Sequence, residues 1–188
     1  MPFKDVLKFY PDFPEKGINF VDIMPLLQDR DVFAALMEEI GSRIAAPTVA
    51  APEARGFFFA TPLLTTPCHV TNVVPFRKKG KLPHTGDDLQ KIGIMKEYGS
   101  DEIFFRKSDI AAGEASDGVF HIAILDDILA TGGTAEGIAR ALNATKIEKG
   151  GREYGVRVTG FLFIAELDSL GGRRRLEPFA PVHSIIHI

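Results

Sequence analysis

What the sequence has little of narrows the field first. Among 188 residues there is a single cysteine, Cys68, which excludes an intrachain disulfide framework and suits a reducing compartment. The net charge is only −3, so the basic excess that marks a nucleic-acid binder is missing. No apolar run approaches the ~20 residues of a membrane-spanning helix. The N-terminal stretch "MPFKDVLKFYPDFPEKG" carries acidic residues and prolines where a signal peptide would be uninterrupted and apolar. Internal repeats, low-complexity tracts and a dividing linker are lacking too. With 45% hydrophobic and 25% charged residues, the expectation is one globular domain over residues 1–188, cytoplasmic, with no nucleic-acid and no membrane partner.

Apolar patterning then gives an outline of the chain. Phe33, Leu36, Met37, Ile40 and Ile44 recur at helical spacing within residues 31–45, which predicts a helix with one buried face. "TVAAPEARG" reads as a short buried strand ending near Glu53, and "GFFFATPLLTTP" as a helix with Pro62 in its first turns. Residues 70–76 and 102–107 read as strands. The polar segment between them, from Arg77 to Tyr98, is long for a connection in a compact domain, a length that is usually functional or mobile. "GVFHIAILDD" (118–127) is the clearest buried strand. A helix follows it, with Ile138, Leu142 and Ile147 on one side and Gly150 and Gly151 as its stop. Residues 155–167 read as a further strand. Strands alternating with helices, and nearly continuous in apolar composition, predict an α/β fold with a mainly parallel central sheet flanked by helices.

The stretch "ILDDILATGGT" (124–134) stands where such sheets bind ligands, beyond the carboxyl end of a strand. Thr131, Gly132, Gly133 and Thr134 lead into the following helix, whose first N–H groups lack intrahelical partners and attract anions. The glycines let a phosphate approach the backbone, and the threonines add hydroxyl donors. Asp126 and Asp127 cannot bind that phosphate themselves. They can accept hydrogen bonds from sugar hydroxyls beside it, or orient water on a magnesium ion. A phosphate site below and a diol site above describe a ribose 5-phosphate. The spacing differs from the P-loop, which ends in a lysine, so a nucleoside triphosphatase is not indicated. His69, His84, His121, His183 and His187 show no metal-ligand spacing and read as structural or surface residues, and no protein metal site is assigned.

"ILDDILATGGT" resembles the phosphoribosyl-pyrophosphate signature of the type I phosphoribosyltransferases. Further segments are similar to the adenine-specific branch of that family and occur in its order across nearly the whole chain. They are "FPEKGINFVDIMPLLQD" (13–29), "EARGFFFATPL" (53–63), "VPFRKKGKLP" (74–83), "EYGSDE" (97–102) and "ELDSLGGRRRL" (166–176). The resemblance implies transfer of a 5-phosphoribosyl group from phosphoribosyl pyrophosphate to adenine, giving AMP and pyrophosphate in purine salvage. It implies Mg²⁺ carried mainly by phosphoribosyl pyrophosphate, a homodimer, and a mobile active-site loop.

Residue by residue, the resemblance assigns Glu97 to proton transfer at the purine and Arg55 to the pyrophosphate or purine region. Asp126, Asp127, Ala130, Thr131, Gly132, Gly133 and Thr134 hold the phosphoribosyl group. Arg77, Lys78, Lys79 and Lys81 supply counter-charge, and Arg77 can reach a neighbouring subunit. Tyr98 closes on the phosphates or ribose, and Phe20 and Val21 belong to the segment covering the base. Ala130 stands where enzymes of 6-oxopurines usually carry an aspartate, which favours adenine. Val21 departs from the family's usual arginine, "ATPLL" replaces a more glycine-rich run, and "GEASDG" (113–118) resembles an insertion. A phosphoribosyltransferase for another purine, a 6-oxopurine or adenine analogue, and a non-catalytic phosphoribosyl-pyrophosphate sensor are the alternatives.

Overall fold

The computed structural model describes residues 3–95 and 100–188. At its centre lies the strand path β10-β9-β7-β3-β4-β6-β5, with β8 paired to β9. The five strands β3 (Thr48–Pro52), β4 (Asn72–Lys78), β7 (Val119–Leu129), β9 (Arg152–Glu166) and β10 (Val182–His187) run parallel. The hairpin of β5 (Leu89–Met95) and β6 (Ser100–Arg106) adds antiparallel to the end of β4. A separate N-terminal hairpin pairs β1 (Lys8–Pro11) with β2 (Asn19–Asp22).

The parallel strands are apolar throughout because both of their faces are covered. Successive side chains of a strand point to opposite faces, and the core divides accordingly. Val49, Ala51, Ala123, Leu125, Leu162 and Ile164 pack on one side with Leu36, Met37 and Ile40 of α1 (Arg30–Arg43) and Phe59 of α2 (Gly56–Ala60). Ala50, Ile122, Ile124, Phe161 and Phe163 pack on the other with Ile138, Ala139 and Leu142 of α4 (Gly133–Ala144) and with Phe105 of β6. A short α3 (Lys107–Ala111) and α5 (Gly172–Leu176) complete the helices described. None of them is long and apolar enough to cross a membrane.

Two expected helices are shorter than their apolar spacing suggests, for different reasons. The helix after β7 ends at Ala144, and Thr145 turns extended (φ −81°, ψ 141°). Lys146–Lys149 then forms β8, antiparallel to the start of β9 through a two-residue turn in which Gly150 and Gly151 both take positive φ. The glycine pair is therefore a hairpin turn, and Ile147 is buried from a strand. After β3, α2 spans only Gly56–Ala60, and Thr61–Leu64 continues as a 3-10 turn. Pro62 lacks an N–H and cannot extend the α-helical ladder. The polar 77–98 stretch contains β5, and β7 runs two residues beyond the expected 127. The strands β1, β2, β5 and β8 are too short, exposed or polar to show a period in the sequence, whereas β10 alternates buried and open positions but lies outside the segments that read as strands.

The chain order of the parallel strands creates the site. From β3 it passes outward to β4, then returns to the other side of β3 as β7 and continues outward to β9 and β10. Connections beyond the C-terminal ends of β3 and β7 therefore diverge to opposite faces of the sheet, which opens a crevice at this switch point.

Candidate active site

The residues that follow β3 and close β7 meet in that crevice. Arg55, at the start of α2, places its Nε 2.5 Å from Oδ2 of Asp127. Asp127 is only 7% exposed, a position in which a carboxylate is costly without a counter-charge. The N–H is not aimed at the oxygen, so Arg55 supplies charge while Oδ2 keeps no hydrogen-bond donor of its own. Half-buried Asp126 accepts the Asp127 backbone N–H at 2.8 Å. Burial, reinforced by the Asp127 carboxylate beside it, pushes the Asp126 carboxyl well above the usual carboxylate range.

Directly behind this pair the chain enters α4 through the 130–134 loop. Gly132 is left-handed (φ 78°) and no side chain caps the helix. The first amides of α4 are thus free of a side-chain acceptor, with the positive end of the helix dipole behind them. The positive φ at Gly132 favours glycine, and a Cβ there would stand 3.0 Å from the Gly172 carbonyl oxygen, a tight contact with backbone. Ala130, Gly133 and Thr134 are half-buried and Thr131 is exposed.

The basic segment lies on the same edge of the sheet. Pro52 and Phe76 are paired in register, so Glu53 and Arg77 emerge side by side. Arg77 Nε donates to Glu53 Oε2 at 2.8 Å, and the guanidinium stands 5.9 Å from the Phe57 ring centroid. Burial raises the Glu53 carboxyl, but the Arg77 hydrogen bond and the Lys78 amide outweigh it and hold the group below its ordinary value. Lys78, Lys79 and Lys81 are exposed.

The N-terminal hairpin reaches the site through Phe20. The Arg55 guanidinium lies 6.0 Å from the Phe20 ring centroid, and Phe13 packs edge-on against Phe20 at 5.2 Å. Val21 faces the other way and is 3% exposed within the core. Alternation along β2 thus gives one residue to the crevice and the next to the interior. Glu97 and Tyr98 lie outside the described residues.

A second polar cluster lies between β9, β10 and α5. Glu166, at 4% exposure, receives Arg173 at 2.6 and 3.1 Å and the Ser184 hydroxyl at 2.6 Å, while His187 Nδ1 lies 2.8 Å from Asp168 Oδ1. Glu166, Asp168 and His187 could together face a cation, but Arg173 and Ser184 already occupy both Glu166 oxygens. The cluster ties β9 to β10 and α5. Glu166, Asp168 and Arg173 fall within the family-like segment 166–176, but Ser184 and His187 come from β10, and no spacing in the sequence joins the two groups.

Comparison with known proteins places the chain in a family. No family model matches it. The adenine phosphoribosyltransferase of Maridesulfovibrio salexigens is 36% identical over 179 residues, covering 94% of each chain. The chain belongs to the adenine phosphoribosyltransferase family. The crystal structure of the family member from Thermoanaerobacter pseudethanolicus matches with a TM-score of 0.79 at 33% identity, covering 99% of this chain and 98% of that one. That from Saccharomyces cerevisiae, solved with an imino-altritol bisphosphate and adenine, matches with a TM-score of 0.75 at 31% identity, covering 97% and 96%.

The raised Asp126 carboxyl has a consequence for stability. A group whose folded-state pKa lies above its unfolded value stabilises fully below the unfolded value, near 3.8 here, and loses that contribution as pH rises through the folded value. Asp126→Asn removes the charge that burial opposes. The variant is expected to be more stable than the parent at pH 7, with the difference vanishing toward pH 3. Urea unfolding at both pH values measures it, and a less stable variant at pH 7 would contradict the electrostatics described.

Proposed function

We propose that the chain transfers the 5-phosphoribosyl group of phosphoribosyl pyrophosphate to N9 of adenine, releasing pyrophosphate and forming AMP. The observation that carries this reading is the junction of Arg55, Asp126 and Asp127 with the uncapped start of α4 at the switch point of the sheet. In it the 5-phosphate lies on the amides and hydroxyls of Thr131–Thr134, and the Asp126 and Asp127 carboxylates receive the ribose hydroxyls. Asp127 Oδ2, buried beside the Arg55 guanidinium, is left without a hydrogen-bond donor of its own.

These hard oxygen donors also suit Mg²⁺ brought by the substrate, which would neutralise charge on the departing pyrophosphate. Arg55, Arg77, Lys78 and Lys81 add counter-charge along the same edge. As the bond from C1′ to pyrophosphate breaks, the ribosyl carbon becomes cationic and the purine N9 lone pair adds to it. The N9 proton passes to Glu97. Most of the acceleration then comes from positioning and from electrostatic stabilisation of the leaving group. Phe20, across Arg55, offers a ring face to the base, and Ala130 leaves the site without a carboxylate for a 6-oxopurine N7.

Incubation with phosphoribosyl pyrophosphate, Mg²⁺ and each purine and pyrimidine base in turn tests the reading. AMP from adenine is the expected product. Absence of any mononucleotide would remove the enzyme reading, and preference for hypoxanthine or guanine would replace the base. For Glu97→Gln, loss of general acid–base assistance predicts a fall in kcat of about 10²–10⁴ with substrate affinity little changed. Single-turnover rates measure it, and an undiminished chemical step would take Glu97 out of the mechanism.

We also propose a homodimer. Its support is the exposed Phe58 and Leu64, 43% and 48% accessible on the segment that follows β3. Sedimentation equilibrium is expected to give twice the 20.6 kDa chain mass, and a monomer at micromolar concentration would refute it.

A further inference from the structure

The 130–134 loop does not hold its own shape. Gly132 is left-handed, and the segment that presses against it is the turn at Gly171 and Gly172. A Cβ on Gly172 would lie 2.2 Å from the Ala130 carbonyl oxygen and 3.0 Å from the Gly132 nitrogen, so the two backbones are in direct contact. The Leu167 N–H donates to the Leu129 carbonyl at 2.9 Å just before the loop begins. The turn is itself anchored from behind, where Arg173 binds Glu166 and donates to the Val182 carbonyl at 2.6 Å.

Arg175, two residues further on, faces the opposite way. Its guanidinium donates to the Thr131 carbonyl at 3.2 Å and places Nε 3.1 Å from Glu136 Oε2 in the first turn of α4. Arg140 also binds Glu136, at 2.7 and 3.1 Å. A carboxylate at that point of the helix would repel an anion docked on the α4 amides. Two guanidiniums offset it, and one of them also fixes the carbonyl at the loop's entrance.

We propose that Arg175 is a positioning residue for phosphoribosyl binding, holding the Thr131–Thr134 loop in register through the Thr131 carbonyl and Glu136. It rests on the phosphoribosyl-transfer reading, because it assigns the 5-phosphate to this loop. The Arg175 side chain is 48% exposed, so its loss costs the folded state little. Its effect therefore falls on substrate affinity rather than on melting temperature.

Steady-state kinetics of Arg175→Ala, Arg175→Lys and Arg174→Ala, with each substrate varied in turn, test the assignment. Arg175→Ala is expected to raise KM for phosphoribosyl pyrophosphate about tenfold, while KM for adenine stays within about twofold. Arg175→Lys recovers part of the loss, because one ammonium reaches the carbonyl or the carboxylate but not both in the same geometry. Arg174→Ala, which removes the same charge one residue away, leaves both constants unchanged. A parental KM in Arg175→Ala, equal increases for both substrates, or an equal effect of Arg174→Ala would each overturn the assignment. A parent chain that forms no mononucleotide from any base would instead overturn the reading on which it rests.

Discussion

Asp126 and Asp127 stand side by side at the open end of a parallel sheet and repel one another, and Arg55 is the charge that the fold brings to them. The ion pair spans the switch point, joining the residue that opens α2 to the strand that leads into α4. Few other placements would serve. A buried carboxylate without a partner is costly, and a partner from a distant loop would not sit at the base of the crevice. The divergence of the β3 and β7 connections supplies both the space and the counter-charge.

The surrounding parts are arranged to keep this edge fixed. Arg77 and Glu53 neutralise each other next to Arg55. The 130–134 loop is pressed into shape by the Gly172 backbone, and that turn is held through Arg173 to a buried Glu166 shared with Ser184. Rigidity is thus passed from the core outward through glycines that admit close contact and arginines that span elements. The raised Asp126 carboxyl is the opposing cost. A site that keeps two carboxylates together gives up folding stability for acceptor strength, as functional sites commonly do.

The parts of this molecule that could be read from its sequence share one property: their pattern is local. The buried strands Thr48–Pro52 and Val119–Leu129 and helix Arg30–Arg43 carry it in consecutive apolar residues or in helical spacing. The loop from Ala130 to Thr134 carries it in small and hydroxylic residues next to paired carboxylates. Elsewhere two structures are compatible with the same local pattern. Ile147 continues a helical spacing and is equally the inward residue of a short strand, and only pairing with the start of β9 decides for the strand. Phe20 and Val21 are adjacent in one family-like segment, and strand alternation sends them to opposite sides.

By itself the sequence determined the α/β class, the strand that carries the carboxylates, the anion-binding helix start and the family resemblance, because each depends on residues adjacent in the chain. Tertiary structure alone decided that Arg55 meets Asp127, that Glu53 holds Arg77, and that Gly172 and Arg175 shape the loop around Thr131. Those partners are separated by 24 to 72 positions in the chain. Nothing in the order of residues sets the distance between such groups. It is fixed only when the β3 and β7 strands pair in register and the chain returns from β9 through α5 to the same edge of the sheet.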